Sequence, residues 1–341
     1  IRCQPITDRQ SGAHFDALIA DQPEPSHRDL AQHHTPMSRL TDHRAGALLA
    51  LMSAVFWGVS GACAQYLFEQ RGLTIDWLVT CRLLTAGTLL LVYARLRGFS
   101  VWAIWRARWA AASILVFGIV GMLAVQYTYF AAIRYSNAAT GTILQYVGPT
   151  LIAVYFVFVR KRLPTAPEAI AVGLAFLGTL LLVTHGDLDA LQISPLALFW
   201  GLSSAAALAF YSIYPAKLLR HFPATVLVGW SMVIGALGFV PFNPPFPVPG
   251  TWDGSTFVAV GFIVFFGTLI GFYSYLGAVK RIGPEKSSLY ASAEPLTAAL
   301  VAVWWLGVPF GAADWLGAAC IVATIFLLNA LPNTTSQAPR D

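Results

Sequence analysis

The stretch that decides the fold is Glu285-Lys-Ser-Ser-Leu-Tyr-Ala-Ser-Ala-Glu-Pro-Leu-Thr-Ala-Ala-Leu-Val-Ala-Val-Trp-Trp-Leu306. It is long and apolar enough to cross the roughly 30 Å hydrocarbon core of a bilayer as a helix. Near its middle it carries an acid, Glu294, beside a helix breaker, Pro295. A charged side chain at the bilayer centre costs about 2.5–3.5 kcal/mol on insertion scales, and residues that bear this cost are usually functional. Glu294 is therefore the first candidate for a functional site.

The rest of the chain repeats the apolar character of this stretch. Of the 341 residues, 57% are hydrophobic and only 11% are charged, whereas a soluble domain carries roughly 25% charged residues. Because backbone groups in lipid must be satisfied within each segment, the apolar runs predict an all-α integral membrane protein with ten transmembrane helices. The predicted spans are roughly 45–66, 74–94, 109–133, 137–159, 167–184, 194–216, 224–242, 256–279, 286–307 and 311–331.

The Lys and Arg residues predict the orientation of these spans. With the N-terminus in the cytoplasm, 15 of them fall in alternate segments on that side, and two, Arg71 and Arg134, fall on the other. Cytoplasmic loops carry such an excess, so both termini are predicted to be cytoplasmic. The net charge of +5 then reflects topology rather than a nucleic-acid partner. The 15 residues are Arg39, Arg44, Arg95, Arg97, Arg106, Arg108, Arg160, Lys161, Arg162, Lys217, Arg220, Lys280, Arg281, Lys286 and Arg340.

The two ends of the chain differ from the spans. Residues 1–36 are polar and lack the apolar core of a signal peptide. We therefore expect a disordered tail there, with Met37 as a candidate translation start, and a cytoplasmic tail over 332–341. His33 and His34 have no Cys or His partner at ligand spacing, so no metal site is expected.

Aromatic residues and prolines recur between the two halves of the chain. Five spans in each half require the second half to run in the opposite direction, which predicts an inverted-topology repeat over residues 45–184 and 194–331. Transporters use such repeats to build a site at the midplane. Chance similarity between apolar helices is the alternative interpretation. The matched pairs are Trp57 with Trp200 and, at an offset of 146, Tyr127 with Tyr273, Tyr129 with Tyr275, and Pro149 with Pro295.

A family resemblance rests on the order of several short motifs. They are Arg82, Tyr146-Val-Gly-Pro149, Ala293-Glu-Pro295, Tyr129-Phe-Ala-Ala-Ile-Arg134 and Tyr275-Leu-Gly-Ala-Val-Lys280. In these motifs the chain resembles the drug/metabolite transporter superfamily, in particular its ten-span EamA-type branch, over residues 45–331. The resemblance implies a carrier in the cytoplasmic membrane of a bacterium, often an exporter of amino acids or other small metabolites. The family's Gly-Glu-Arg-Leu-like end of the fourth span is replaced by Val159-Arg-Lys-Arg-Leu163, so no carboxylate role is assigned there.

Polar and aromatic residues near mid-span are the candidates for a substrate or proton pathway. Glu294 either exchanges a proton as a cavity faces each side in turn or is held ionised by Arg82. Arg82 either binds a substrate carboxylate or ties helices together. Trp57 and Trp200 either wall the cavity or pack beside close helix contacts. The full set is Glu294, Arg82, Gln145, Tyr146, Pro149, Tyr290, Pro295, Trp57, Trp200, Gln126, Tyr127, Tyr211 and Tyr273.

The sequence therefore predicts a secondary exporter of a small metabolite, an amino acid or a related compound, driven by the proton gradient through alternating access. A flippase for lipid-linked or amphiphilic molecules and a channel are the alternatives. An intramembrane enzyme would need a buried nucleophile and base, whereas every His is predicted to lie in a tail or loop, so neither enzyme activity nor a cofactor is expected. The expected partners are the substrate and membrane lipid, with the protein as a monomer or homodimer.

Overall fold

The described part of the chain folds entirely into helices and their connections. The computed structural model describes residues 36–136, 138–161, 163–190, 194–306 and 310–330. Both predicted tails lie outside these residues, except that Pro36 begins the first helix. From His43 onward, the described residues form one compact unit.

The N-terminal part contains eight of the helices, separated by short connections. They are α1 Pro36–Gln70, α2 Ile75–Leu96, α3 Ala103–Arg106, α4 Arg108–Val116, α5 Ala124–Arg134, α6 Ala138–Gln145, α7 Gly148–Arg160 and α8 Ala166–Thr184. The C-terminal part follows with α9 Pro195–Ile213, α10 Ala216–His221, α11 Ala224–Phe239, α12 Gly254–Phe262, α13 Gly271–Ala291, α14 Ala293–Leu306 and α15 Ala312–Ala330.

Two π-helical segments join neighbouring helices without a loop. Phe117–Leu123 joins α4 to α5, and Ile263–Ile270 joins α12 to α13. They begin 146 residues apart (263 minus 117), which is the spacing of the matched tyrosines and prolines. A π turn accommodates an extra residue and loosens the backbone hydrogen bonding around it. In the second segment the hydroxyl of Thr268 donates to the carbonyl oxygen of Ile263 at 2.7 Å.

The matched prolines lie just after breaks in two helical spans. α6 ends at Gln145 and α7 begins at Gly148, with Pro149 in its first turn. α13 ends at Ala291 and α14 begins at Ala293, with Pro295 in its first turn. Proline is tolerated in a first turn because its missing N–H would have no helical partner there. Each break therefore divides a predicted span into two shorter helices.

The boundary predicted between the eighth and ninth spans, over about residues 280–285, coincides with a kink in the structure. Two helical stretches meet there within Gly271–Ala291, and the backbone between them is not helical. Gly283 adopts a φ of 80° and is followed by Pro284. Glycine takes this left-handed conformation without strain, and the proline then begins the next helical turn. The change of direction thus needs almost no connecting chain.

Within the residues that the structure describes, seven helical segments are long and apolar enough to cross a membrane. They are Asp42–Gln70, Ile75–Leu96, Arg108–Arg134, Gly141–Val159, Ala166–Thr184, Pro195–His221 and Gly254–Val301. The last is 48 residues long and contains the kink at Gly283. Ala224–Phe239 and Ala312–Leu328 are shorter apolar helices. The chain is a multi-pass membrane protein.

Glycines permit close crossings between helices of the N-terminal and C-terminal parts. A Cβ atom added at Gly178 of α8 would lie 2.9 Å from the carbonyl oxygen of Gly317 in α15, and the reverse distance is also 2.9 Å. Gly87 of α2 and Gly229 of α11 approach each other in the same way, at 3.0 and 3.3 Å. Small residues let transmembrane helices pack backbone to backbone, so these crossings hold the two parts together.

A polar network ties the end of α1 to the start of α12. Arg71 forms an ion pair with Asp253 at 2.9 Å and donates to the hydroxyl of Ser255 at 2.9 Å. Asp253 also caps α12 by accepting from the backbone N–H of Thr256 at 2.9 Å. Hydrogen bonds from Ser255 and Thr256, together with Arg71, hold the pKa of Asp253 at about 2, below its ordinary 3.8.

Acid is expected to weaken this network within a narrow pH range. A carboxyl group whose pKa is lowered by folding stabilises the protein above its ordinary pKa, and this contribution is lost as pH falls through the folded value. The native protein should therefore lose stability relative to Asp253→Asn between pH 3.8 and about 2. The thermal midpoints of the two purified proteins across this range are the measurement. Parallel curves would contradict the assignment.

Candidate functional site

A central cavity of about 80 Å³ lies where the broken helices meet. One water needs about 10–15 Å³ by this kind of measure, so the cavity has room for several waters or a small metabolite. Side chains from both the N-terminal and the C-terminal part contribute to its wall. The lining residues are Trp57, Ser60, Gly61, Arg82, Val125, Gln126, Tyr129, Phe130, Gln145, Tyr146, Pro149, Leu208, Tyr211, Phe272, Tyr275, Ser288, Ala291 and Glu294.

A second, larger cavity of about 400 Å³ borders the central one. The two share Trp57, Gly61, Tyr129 and Glu294 as lining residues. The larger cavity extends to the C-terminal ends of α1 and α8, where its lining includes Gln65, Tyr66, Phe68, Glu69, Gln70 and His185. We call it the outer cavity. It gives the central cavity a path toward one end of the helix bundle.

Arg82 is buried in the wall of the central cavity and held from one side. Its Nε donates to the hydroxyl of Thr268 at 2.7 Å. The single proton of that hydroxyl goes to Ile263, so its lone pairs are free to accept from Arg82. The guanidinium carbon also lies 5.5 Å from the ring centre of Phe130. Among the described residues, no carboxylate oxygen lies within 4.0 Å of Arg82, so the tie to Glu294 weighed above is absent.

Removing the hydroxyl of Thr268 is expected to destabilise the folded protein. Thr268→Val keeps the side-chain shape but leaves Arg82 Nε without its acceptor, which should cost about 1–2 kcal/mol. Thr268→Ser, the matched control, keeps the hydroxyl and should be the more stable of the two variants. The measurement is the thermal midpoint of each purified variant. A midpoint for Thr268→Val equal to that of the native protein would contradict this contribution.

Glu294 lines both cavities and meets Tyr146 across the two broken helices. The hydroxyl of Tyr146 lies 3.1 Å from Glu294 Oε2 and 2.8 Å from the carbonyl oxygen of Ala291. Glu294 stands in the first turn of α14, where the helix dipole favours negative charge. A Cβ atom at Gly58 of α1 would lie 2.7 Å from the Glu294 carbonyl, so α1 also packs tightly here. The acid is thus positioned by three helical segments.

Three buried polar atoms of the central cavity have no protein partner among the described residues. They are Trp57 Nε1, Gln126 Oε1 and the Tyr211 hydroxyl. Buried polar atoms are hydrogen-bonded in the great majority of cases, by protein or by bound molecules. One atom is a donor, one is an acceptor, and the hydroxyl can be either. The cavity is therefore equipped to bind a molecule with both donors and acceptors.

Aromatic rings form the apolar part of the same wall. Trp57 lies 5.1 Å from Phe272 and 5.2 Å from Tyr275, measured between ring centres. Tyr211 stacks on Tyr275 at 5.8 Å. The Tyr275 hydroxyl is 2.7 Å from Ser212, whose own proton goes to the Leu208 carbonyl, so Tyr275 is the donor of that bond. These contacts hold the rings in place beside the polar atoms.

Four of the candidate residues lie outside both cavities. Two of them, Trp200 and Tyr127, pack on each other at 5.7 Å between ring centres. Tyr273 is 38% exposed on the outer surface of α13. Tyr290 is fully buried among alanines near the start of α1 and α8, next to His43. The other candidates line the cavities: Glu294, Arg82, Gln145, Tyr146, Pro149, Pro295, Trp57, Gln126 and Tyr211.

Several lining residues were missed, and two of them carried a signal. Tyr129 and Tyr275 belong to the matched pairs, yet their neighbours Tyr127 and Tyr273 were selected in their place. Gln126 and Tyr129 share a helical face at a spacing of three residues, which favours Tyr129 once Gln126 is accepted. Thr268 carried no signal, because an isolated threonine in an apolar run is common.

Two histidines, His43 and His185, lie in different surroundings. His43 was expected in a tail or loop, but it lies inside α1 and is buried. The hydrogen bond between His185 and Asp314, 2.8 Å long, joins the ends of α8 and α15 at the rim of the outer cavity. Within the described ranges, no group of three or more His, Cys, Asp or Glu residues could hold a metal ion.

Known proteins resemble this chain over most of its length. The sequence model of the EamA-like transporter family matches residues 44–184 and again 195–330. An uncharacterized inner membrane transporter of Salmonella typhimurium, YicL, is 40% identical over 286 residues, which cover 84% of this chain and 95% of that protein. An uncharacterized inner membrane transporter of Escherichia coli, YedA, is 25% identical over 301 residues, which cover 83% of this chain and 89% of that protein. A solved crystal structure at 20% identity superposes with a TM-score of 0.68 over 84% of this chain and 96% of its own, so the fold is shared.

Proposed function

Because this chain belongs to the EamA-like transporter family of the drug/metabolite transporter superfamily, we propose that it exports a small metabolite by alternating access. It is a multi-pass transporter of the inner membrane. The proposed substrate is an amino acid or a related compound, and the proposed driving force is the proton gradient. The observation that carries the proposal is the central cavity, where a cation, an acid and unpartnered polar atoms surround a small enclosed space.

The proposed topology has ten membrane crossings in two inverted halves. The seven long segments supply eight crossings if Gly254–Val301 turns back at its kink, and the two shorter apolar helices supply the others. The family match occurs once in each proposed half. The matched π segments and the glycine crossings support the same interpretation, because related helices of inverted repeats meet near the pseudo-two-fold axis. The excess of Lys and Arg in alternate loops supports a cytoplasmic position for both termini in this topology.

In this topology the cavities open toward the outside. The outer cavity reaches Gln65, Glu69, Gln70 and His185, which lie at the end of the bundle away from the Arg-rich loops. The other end is closed by a cluster of small and apolar residues near the starts of α1 and α8. Alternating access would open this cluster and close the outer cavity around the fixed site. The cluster contains Ala47, Ala50, Ala171, Ala175, Ala278, Ile282, Leu289, Tyr290 and Leu328.

The charges of the cavity suit a zwitterionic molecule. Arg82 can bind a carboxylate in a bidentate way through its terminal nitrogens, because only Nε is engaged by Thr268. Glu294 can bind a cationic group or carry a proton. An amino acid offers both groups, and the aromatic wall accommodates an apolar side chain.

Metabolite comparison between strains provides the experiment. A strain overproducing the protein should accumulate the substrate in its medium, and a deletion strain should retain it. The identified compound should then be transported by purified protein in liposomes, and a pH gradient should drive its accumulation. If no small molecule differs between the media, the exporter proposal fails. Currents without substrate dependence would indicate a channel, and movement of a labelled lipid would indicate a flippase.

A further inference from the structure

The carbonyl oxygen of Ala291 lacks its helical partner for a covalent reason. In an α-helix it would accept from the N–H of the residue four positions later, and that residue is Pro295, which has none. The hydroxyl of Tyr146 takes this place at 2.8 Å. Tyr146 itself lies in the break between α6 and α7. The break in one proposed half is thus bonded to the break in the other.

The hydroxyl of Tyr146 also lies within hydrogen-bond distance of Glu294, but it can donate only one proton. Its oxygen lies 2.8 Å from Ala291 O and 3.1 Å from Glu294 Oε2. An ionised carboxylate can only accept, so it competes with the carbonyl for that proton. A protonated carboxyl can donate to the tyrosine oxygen, and the tyrosine proton then belongs to the carbonyl. The proton on Glu294 therefore decides which acceptor Tyr146 serves.

We propose that Tyr146 is a positioning residue that couples the proton on Glu294 to the contact between the two broken helices. The proposal deepens the proposed function and rests on it. With Glu294 protonated, a chain of hydrogen bonds runs from its carboxyl through Tyr146 to Ala291 and holds the breaks together. Such chains reinforce each other inside a protein. When the proton leaves, Tyr146 turns its proton to the carboxylate, and the Ala291 carbonyl is left without a partner.

The surroundings of Glu294 leave Tyr146 as its direct partner among the described residues. The hydroxyl of Tyr129 faces the same space but bonds to Thr142 at 3.1 Å. The charged groups of the neighbouring helices make no ion pair with Glu294 within 4.0 Å in the described part of the chain. The titratable and charged groups facing this region are Tyr129, Tyr275 and Arg82 around the central cavity, and Glu69, His185 and Asp314 toward its outer end.

Infrared difference spectroscopy of the purified protein between two pH values tests the coupling without a substrate. The native protein should show a carboxyl band that is absent in Glu294→Gln, and a tyrosine band that changes at the same pH. Tyr146→Phe should lose the tyrosine change. Tyr129→Phe, the matched control, should keep it, because Tyr129 is bonded to Thr142. A tyrosine change that persists in Tyr146→Phe, or that moves at a different pH from the carboxyl band, would overturn the proposal.

A second variant separates the proton coupling from the structural role of the same hydroxyl. Tyr146→Phe should also lower the thermal midpoint, because the Ala291 carbonyl is left unpaired. Adding Pro295→Ala restores an N–H for that carbonyl, so the double variant should recover thermal stability but not the tyrosine band. Failure to recover would overturn the assignment of Ala291 as an acceptor. Neither the infrared nor the thermal measurement requires transport. If the exporter proposal alone is wrong, the media of the two strains will contain the same metabolites while the carboxyl and tyrosine bands still change.

Discussion

Glu294→Gln is expected to lower proton-driven transport about a hundredfold, the size of effect that loss of a proton-transferring group produces. The amide has nearly the same shape and can still donate to Tyr146, but it cannot take up or release a proton. Exchange of substrate across a membrane without a pH gradient should therefore survive. The measurement compares accumulation by proteoliposomes under a pH gradient with counterflow at equal pH.

A matched acid elsewhere in the bundle controls for the loss of charge. Asp76 lies in the first turn of α2 and lines neither cavity, so Asp76→Asn should keep both activities. If Glu294→Gln is present at normal levels and still accumulates substrate like the native protein, Glu294 is not the coupling group. If the variant protein is lost from the membrane, the carboxyl group has a structural role in place of the proposed one.

Gly178→Leu is expected to destabilise the protein by at least about 3 kcal/mol, the upper range for forcing extra volume into a packed interface. Even a single Cβ atom there would lie 2.9 Å from the backbone oxygen of Gly317, and a backbone atom cannot turn aside as a side chain can. The helices α8 and α15 would have to separate. Thermal unfolding in detergent and the yield of folded protein measure the effect.

Gly173 of the same helix provides the control. It is exposed, and a Cβ atom there would meet nothing within 4 Å. Gly173→Leu should therefore leave the thermal midpoint unchanged or raise it, because glycine is a poor helix former. Equal midpoints for the two leucine variants would show that the α8–α15 crossing is not close-packed in the folded protein.

The parts of the fold that covalent chemistry dictates could be predicted from the sequence. The apolar runs predicted helical spans, and the structure describes helices over all of the predicted spans that it covers. Pro149 and Pro295 predicted bends, and both helices break next to them, because proline lacks an N–H wherever it is placed. Glu294, which the sequence places inside an apolar run, lines both cavities.

The face of each helix could not be predicted with the same success. Gln126 and Tyr127 were both candidates for the cavity, but only Gln126 lines it, together with Tyr129, which was not a candidate. An α-helix turns about 100° per residue, and a π segment changes this phase for everything that follows. No residue pattern in the chain announces the π segments. An ideal helix drawn through either span therefore points its second part in the wrong direction.

The hydrogen-bond partner of Arg82 could not be predicted from the sequence either. Thr268 lies 186 residues away along the chain and belongs to the second π segment. Its role depends on the hydrogen bond from its hydroxyl to the Ile263 carbonyl and on the packing of two distant helices. Such a contact forms only in the folded protein. The sequence suggested Glu294 as the partner of Arg82 because of its opposite charge, but the structure shows Thr268 there.

Because of the π segments, the effect of deleting one residue depends on whether the deletion lies inside the segment or beyond it. Deleting one residue inside Ile263–Ile270 could restore an ordinary α-helix and still present Phe272 and Tyr275 to the cavity. A deletion beyond the segment would rotate the remainder by about 100°. Yet the tolerated deletion would also close the turn whose carbonyl Thr268 caps, and Arg82 would lose its anchor. The extra residue of the π segment makes this helix less regular, and it allows Thr268 to hold the guanidinium of Arg82 in place.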